Sequence, residues 1–298
     1  MSIDAVLREL LVRQLDHWLP GALHRSRRAT LALSYAGDPG TAEAALRAVA
    51  GVADRLRGRR LTVLVLAGDD PELPTRLGAV EAGLPADVAV HVVPGDPARL
   101  PVVLRAAGAA GAPLLTLIDG AAPEPALLAA TTTGRPAEVL LTAAPTATLR
   151  PALTAAGYPL VAEVELVPAD GSPARLVAFG SGLDKSLEAF KEALWTAASS
   201  GPVRYRDPAG GLREAVVPPP AGPLADELLA ELARHGPRTV TELRRHALTA
   251  TAYRAVDAGG ALTALLETGA VTREPAHGRL GGDVLISADP APAGRSAA

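Results

Sequence analysis

The sequence predicts an α/β fold in which a doubly wound, mostly parallel sheet is followed by a small second domain. Three observations support this prediction. Short runs rich in Val and Leu alternate with segments of helical periodicity, which is typical of βαβ units. Most of these runs are apolar throughout, as expected for parallel strands that are buried on both faces. After residue 223 the pattern changes to helices followed by two short strands.

The composition is that of a globular protein with two domains. The chain has 298 residues, of which 48% are hydrophobic and 20% are charged, so it can bury a sizeable core. The net charge of −3 gives the whole molecule no basic field of the kind that concentrates nucleic acid. The absence of cysteine excludes disulfides and thiolate metal ligands, and the six histidines lack metal-binding spacing. We therefore expect no metal site.

The N-terminal segment predicts a helix of the folded protein and not a signal peptide. Leu7, Leu11, Leu15 and Trp18 recur at helical spacing with charged residues between them. The longest apolar run, residues 106–118, is shorter than the roughly 20 residues that a membrane-spanning helix needs. We expect a cytoplasmic protein that does not enter a membrane.

Residues 1–200 form the first predicted domain, in which strands and helices alternate. The predicted strands are 29–35, 61–66, 88–93, 114–118 and 138–142, followed by a hairpin of 160–167 and 174–180 at the sheet edge. The predicted helices that follow the N-terminal one are 41–56, 72–83, 100–108, 125–131, 149–156 and 183–198. Each strand except those of the hairpin is followed by a helix, which favours parallel pairing.

Residues 201–223 are rich in Pro and Gly and predict a linker to the second domain. The second domain has predicted helices at 224–234, 239–247 and 251–267, and strands at 271–274 and 284–287. Thr239 is a predicted N-cap, with Glu242 completing a capping box. Three helices and a hairpin predict a winged-helix domain at 224–288, followed by a flexible tail at 289–298.

Glycine and aspartate follow four successive strands of the predicted parallel sheet. These residues are Gly37, Gly40, Asp69, Asp96 and Asp119. Ligands of doubly wound sheets bind beyond the carboxyl ends of the strands, so the residues are candidates for a nucleoside-type cofactor site. The same residue types are also the ordinary choice for any tight turn, and this alternative stays open.

The segment 184–195, with the sequence DKSLEAFKEALW, resembles the characteristic helix of the three-Cys-motif partner family. Supporting matches occur in family order at 35–37, 70–72, 95–96 and 117–119, and the C-terminal stretch 239–271 resembles the family's winged-helix end. The resemblance implies a class I methyltransferase-like domain of the Rossmann type that uses S-adenosylmethionine. It also implies a partner protein that carries a three-cysteine motif.

By this resemblance, Tyr35, Gly37, Gly40, Asp69 and Asp96 are the candidate cofactor-binding residues. Asp119, at the end of the fourth strand, is the candidate catalytic residue.

The chain departs from the family pattern around these residues. Gly68 stands where the family has a ribose-binding acid, although Asp69 follows directly. The fourth strand reads Ile118-Asp119-Gly120-Ala121 where the family has Asp-Pro-Phe, so the proline and the aromatic residue are missing after Asp119. Since methyl transfer depends on the alignment of the acceptor, these losses argue for weakened or absent catalysis. They are compatible with retained cofactor binding.

The predicted winged helix suggests a second function, in which a regulatory or adaptor protein without enzymatic activity binds DNA or a protein partner. The candidate contact residues are Arg244, Arg245, Arg254, Arg273 and Arg279. Residues 224–287 contain seven Arg and eight Asp or Glu, so this domain has no net positive charge to attract phosphates.

Overall fold

The computed structural model describes residues 2–35, 40–68, 71–120, 124–206 and 210–289. The chain divides into two compact units, the first ending at Ala215 and the second beginning at Val216. This division falls inside the segment that was predicted to be a linker.

The first unit is built on a sheet with the strand order β3-β2-β1-β4-β5-β7-β6-β8-β9. The strands are β1 Arg28–Tyr35, β2 Arg60–Ala67, β3 Val88–Pro94, β4 Leu114–Asp119, β5 Ala137–Ala143, β6 Leu160–Pro168, β7 Arg175–Ser181, β8 Val203–Arg206 and β9 Leu212–Glu214. The first five are parallel, and the other four pair antiparallel.

Helices cover both faces of the sheet, which confirms the predicted doubly wound α/β class. They are α1 Ile3–Arg25, α2 Gly40–Gly51, α3 Leu73–Glu81, α4 Leu100–Ala106, α5 Pro125–Thr131, α6 Leu149–Ala155 and α7 Asp184–Ser199. Leucines of α4, α5 and α6 pack on one face of the sheet. The other four helices pack together in the pairs α1 with α7, α1 with α2, and α2 with α3.

The helix α7 is anchored to the sheet by an aromatic contact. The two phenylalanines of the chain, Phe179 on β7 and Phe190 on α7, stack with their ring centroids 4.8 Å apart and their planes 8° from parallel. Both are fully buried. Aromatic pairs stabilise by about 0.5–1.5 kcal/mol beyond the burial of their area, so this stack helps to fix α7 on the sheet.

The predicted linker is in part a continuation of the sheet. β8 pairs with β6 and β9 pairs with β8, so the hairpin β6–β7 lies inside the sheet and not at its edge as predicted. Val203 and Tyr205 of β8 are buried, and Tyr205 meets Trp195 of α7 edge-on at 5.4 Å between ring centroids. The apolar side chains in the stretch 203–206 alternate with arginines, a strand signal that the neighbouring Pro and Gly residues obscure.

The N-terminal helix is confirmed and is longer than its apolar pattern. Ser2 caps it by accepting a hydrogen bond from the Ala5 N–H at 3.3 Å.

Throughout the described residues, no helix has both the length and the apolar composition that crossing a membrane requires.

The second unit combines helices with a small antiparallel sheet of order β10-β12-β11. Its elements are α8 Ala221–His235, β10 Arg238–Thr239, α9 Val240–Ala250, α10 Asp257–Glu267, β11 Val271–Glu274 and β12 Leu285–Ala288. The capping box is confirmed: Thr239 Oγ1 accepts from the Glu242 N–H at 3.2 Å, and Glu242 accepts from the Thr239 N–H at 2.7 Å. β10 was not predicted.

The third helix of this unit begins six residues later than predicted. Thr251 Oγ1 accepts a hydrogen bond from the Tyr253 N–H at 3.0 Å and donates one to the Ala247 carbonyl at 2.7 Å. Tyr253 is fully buried in the turn that these bonds stabilise. Asp257 then accepts a hydrogen bond from the Arg254 N–H at 2.9 Å, which closes the turn just before α10.

A buried carboxylate lies between α1, α7 and the sheet. Glu138 on β5 is 1% exposed, and it accepts hydrogen bonds from Ser186 Oγ at 2.6 Å and from Gln14 Nε2 at 3.4 Å. Burial raises the pKa of Glu138, against the opposing effect of these two donors. The buried Gln14 Oε1 has no hydrogen-bond partner among the described residues.

We expect Glu138→Gln to stabilise the protein at neutral and alkaline pH. Because the pKa of Glu138 is raised in the folded state, the folded protein binds more protons, and stability falls as pH rises from the unfolded pKa through the folded pKa. Glutamine at position 138 does not titrate, so this site no longer reduces stability as the pH rises. Its amide N–H can also donate a hydrogen bond to Oε1 of a reoriented Gln14. We therefore expect Glu138→Gln to raise the Tm, and this rise should become smaller as the pH is lowered toward 4. Each kcal/mol gained in the free energy of unfolding corresponds to about 2–4 °C in Tm.

The exposed Glu188 on α7 provides the control, since Glu188→Gln changes the net charge equally without altering a buried group. Thermal unfolding of both variants between pH 4 and 8 tests the prediction. A lower Tm for Glu138→Gln at pH 8 would contradict it.

Candidate functional site

The strand order of the first unit reverses next to β1. From β1 the chain first builds outward to β2 and β3, and it then crosses to the other side of β1 to add β4 and β5. Doubly wound sheets bind their ligands at such a reversal, beyond the carboxyl ends of the two strands that flank it. We call this position, beyond the carboxyl ends of β1 and β4, the crevice.

The strand ends that border this crevice lie in one row across the sheet. Tyr35, the last residue of β1, is in register with Ala67 of β2 and with Asp119 of β4. Ala67 is in turn in register with Pro94, and Asp119 with Thr142. The loops that carry the predicted cofactor-binding residues thus all leave the same edge of the sheet.

The structure describes only part of the predicted cofactor site. Tyr35 ends β1, and Gly40 is the first residue of α2, so both border the loop of the crevice. Gly37 and Asp69 lie outside the described residues.

Asp96 has a structural role in addition to its predicted one. It is exposed and caps the short 3-10 helix Pro97–Arg99, accepting a hydrogen bond from the Ala98 N–H on Oδ1 at 2.9 Å. Its other oxygen has no hydrogen-bond partner among the described residues. The same side chain can therefore cap the loop and contact a ligand.

Arg99 closes the turn in which Asp96 lies. Its Nη1 donates to the Pro94 carbonyl at 3.0 Å. Gly95 has φ +131°, and a Cβ at this position would lie 2.6 Å from Arg99 Cδ. The turn therefore requires glycine for its backbone conformation, which L side chains rarely adopt.

Asp119, the predicted catalytic residue, is half-buried at the end of β4. Its Oδ1 accepts a hydrogen bond from Thr142 Oγ1 of the neighbouring strand. Thr142 is 3% exposed, so the strand pairing fixes both side chains and leaves Asp119 Oδ2 without a partner among the described residues. The hydrogen bond from Thr142 holds the carboxylate in place, and Asp119 Oδ2 can accept a hydrogen bond from a polar ligand group.

Two buried hydroxyls near the crevice were not predicted. Ser34 and Thr116 are fully buried on β1 and β4, and their oxygens have no hydrogen-bond partner among the described residues. Ser34 directly precedes Tyr35, the last residue of β1. Nothing in an apolar strand pattern distinguishes such hydroxyls from core positions.

Two of the five predicted contact arginines of the second unit bind within that unit. Arg254 pairs with Asp257 through two bonds, Nη2 to Oδ1 at 2.7 Å and Nε to Oδ2 at 3.0 Å. Arg273 donates to the carbonyls of Pro275, Gly278 and Arg279 at 2.9, 2.9 and 3.2 Å, which fixes the turn between β11 and β12.

The other three contact arginines are exposed: Arg244 and Arg245 on α9, and Arg279 in the turn between the strands. In contrast, α10 contains no Lys or Arg, and its flanking residue Val256 is 71% exposed. The three exposed candidate arginines are therefore divided between α9 and the turn.

A further charged cluster joins α8 to α9. Glu231 lies 3.0 Å from His235 Nδ1, 3.5 Å from His246 Nδ1 and 3.6 Å from Arg238 Nη2. Burial lowers the pKa of His246, although the Glu231 carboxylate opposes this effect. Only the pair Glu231 and His235, four residues apart, is visible as a pattern in the sequence.

No family model and no curated protein matches this chain. Several solved structures resemble it in part, including two titled as methyltransferases. One, titled a SAM-dependent methyltransferase from Agrobacterium tumefaciens, has 15% identity and a TM-score of 0.36, covering 57% of this chain and 62% of its own. The other, titled a putative SAM-dependent methyltransferase from Streptococcus mutans, has 11% identity and a TM-score of 0.32, covering 56% of this chain and 48% of its own.

We expect Arg254→Ala to destabilise the second unit. The Arg254 and Asp257 side chains are only 12% and 9% exposed, so removal of the guanidinium leaves a largely buried carboxylate without its cation. The expected loss is about 1.5–3 kcal/mol. Urea unfolding measures it, with Arg244→Ala as the exposed control; equal stability of the two variants would contradict the structural role of Arg254.

Proposed function

We propose that the first unit binds S-adenosylmethionine in the crevice between β1 and β4. On this proposal the chain is a methyltransferase-like protein of the three-Cys-motif partner type in which methyl transfer is weakened or lost. The reversal of strand order at β1 is the observation that supports the proposal, because doubly wound sheets bind nucleotide-type ligands at such a reversal, beyond the carboxyl ends of the strands.

The described residues around the crevice fit such a ligand. α2 begins at Gly40, and the N–H groups at a helix N-terminus suit the carboxylate of the amino-acid part. At Gly68, which is exposed, a Cβ would meet no atom of the described residues within 4 Å, and this open space suits the approach of a ligand to the backbone. Asp96 offers a carboxylate oxygen for the adenine amine, and we assign Asp69, with Tyr35 and Gly37, to the remaining contacts.

The proposed loss of catalysis rests on the loop after β4. When bound, S-adenosylmethionine supplies an electrophilic methyl group, and the protein must align an acceptor with it. Asp119 accepts a hydrogen bond from Thr142 Oγ1 and has a second oxygen for one polar group of an acceptor. The residue that follows it is a glycine with φ +77°, where the family has proline, so the rigid support for an acceptor is missing.

For the second unit we propose a winged-helix domain that binds a protein partner. The order helix, strand, helix, helix, strand, strand supports this assignment. Protein binding is favoured over DNA because α10, the helix that would enter the major groove, carries no Lys or Arg. A protein with a three-cysteine motif is the partner that the family resemblance suggests.

Calorimetric titration with S-adenosylmethionine and S-adenosylhomocysteine tests the proposed cofactor binding. We expect binding in the micromolar range, weakened about tenfold or more by Asp96→Ala, which corresponds to about 1.4 kcal/mol or more. Asp96→Asn separates the two roles of this residue, because asparagine keeps the helix cap and removes the charge.

Asp170→Ala is the matched control. Asp170 is another exposed aspartate that caps its own turn, accepting from the Ser172 N–H at 2.9 Å, and it lies in the hairpin between β6 and β7. Its removal should leave the affinity unchanged. Absence of heat and of any thermal shift at millimolar ligand would refute cofactor binding.

A further inference from the structure

Arginines are concentrated at the amino ends of β1 and β2, on the side of the sheet opposite to the crevice. Segments 25–28 and 53–60 read RSRR and ADRLRGRR. We use the name arginine edge for six of these residues, Arg27, Arg28, Arg55, Arg57, Arg59 and Arg60.

The strand pairing brings these arginines together. Arg28 and Arg60 are in register on adjacent parallel strands, which are about 4.8 Å apart. Arg27 and Arg59 directly precede them, and the Arg27 carbonyl accepts a hydrogen bond from the Arg60 N–H at 2.8 Å. Five of the six side chains are exposed, and that of Arg59 is half-buried.

Carboxylates neutralise little of this cluster: Asp87 directly precedes β3 and lies beside Arg60 in the strand register, but it makes no ion pair with any residue that the structure describes. Within the two segments the one acidic residue is Asp54, which lies 3.6 Å from Arg57 in a pair with side chains 97% and 83% exposed. Such exposed pairs contribute little. Arg28 and Arg59 donate to the carbonyls of Ala110 and Ser26 at 3.1 and 3.2 Å, and these bonds leave their charges in place.

Three members of the arginine edge bind no other residue through their side chains in the part of the chain that the structure describes. The side chains of Arg27, Arg55 and Arg60 make no hydrogen bond or ion pair with any residue that the structure describes. Like charges in register on adjacent strands destabilise a sheet. The arrangement therefore costs stability in the free protein, and a bound polyanion would offset that cost.

We propose that the arginine edge binds the phosphate backbone of double-stranded nucleic acid. The large apolar residues that are exposed among the described ones lie elsewhere, so the edge lacks the anchors that protein interfaces and membrane-surface segments use. The two segments also contain no aromatic residue on which an unpaired base could stack. The arginine edge therefore offers positive charge but no side chain that could read bases, and this suits the phosphate backbone of a duplex.

This site is independent of the proposed cofactor crevice. Arg28 and Tyr35 are the first and last of the eight residues of β1, so the two edges are about 23 Å apart at ~3.3 Å per residue. Loss of nucleic-acid binding and loss of S-adenosylmethionine binding can therefore be observed separately.

Fluorescence anisotropy with labelled 20-mers of duplex DNA, duplex RNA and single-stranded DNA tests the proposal at 50–200 mM salt. We expect the duplexes to bind more tightly than the single strand, without sequence preference, and affinity to fall steeply with salt. Arg27→Glu/Arg55→Glu/Arg60→Glu should weaken duplex binding about 100-fold or more at 50 mM salt. It should also lower the slope of log K against log salt by about 3, one phosphate for each arginine.

The comparison variant is Arg244→Glu/Arg245→Glu/Arg279→Glu in the second unit, which changes the net charge by the same amount. It should retain duplex binding, and both variants should keep the circular dichroism spectrum of the unchanged protein. Equal losses in the two variants, or a loss only in the second, would overturn the proposal. So would binding to vesicles containing anionic lipid but not to duplexes.

Discussion

Burial of both faces of the parallel strands is the constraint on which the first unit depends. Aromatic residues make up only 3% of the chain, so this burial is achieved mainly with Leu, Val and Ala. Each parallel strand must be followed by a helix that covers one face, and the crossovers share one hand. Covering both faces requires the chain to reverse its direction of growth at β1, and this reversal creates the crevice. The candidate site is thus a consequence of how the core is closed.

The same constraint gives the two edges of the sheet different electrostatics. Helices in βαβ units run opposite to the strands, so their N-termini lie near the carboxyl edge and their C-termini near the amino edge. The helix dipoles favour anions at the first edge and cations at the second. Arg25, which lies next to the arginine edge in the sequence, is explained in this way, since it lies in the last turn of α1. Arg55 lies in the 3-10 helix Ala53–Leu56 that follows α2, and Arg57, Arg59 and Arg60 come after that helix. These four arginines exceed what one helix terminus requires.

The sequence predicted the helices and strands with strong patterns better than the short strands and turns between them. The helix α5 and the strand β11 have the predicted bounds, because proline or glycine limits each of them. The strands β8 and β9 were missed, since the aromatic contact between Trp195 and Tyr205 depends on tertiary packing. The start of α10 was placed too early for a similar reason. The side chain of Thr251 competes with the helical backbone, which periodicity does not reveal.

Predicting the site residues was harder, because a residue type does not specify its partner. Asp96 and Arg254 illustrate this point: both were selected for ligand contacts, yet Asp96 caps a turn and Arg254 binds Asp257. The carboxylate of Asp96 retains a second oxygen, whereas the guanidinium of Arg254 is held in a two-point pair. A charged residue can therefore bind a ligand only if its charge is not already paired inside the folded protein.

By this criterion the amino edge of the sheet outranks the second unit as a surface for phosphate. Arg273 is held by three carbonyls in the turn between β11 and β12, and α10 has no cation. At the arginine edge, adjacent strands hold Arg28 and Arg60 in register without a carboxylate between them. A net charge of −3 gives no sign of this difference, because it averages over two units and two edges. For a polyanion the local density of unpaired charge matters more than the sum, since each neutralised phosphate releases its own counterions.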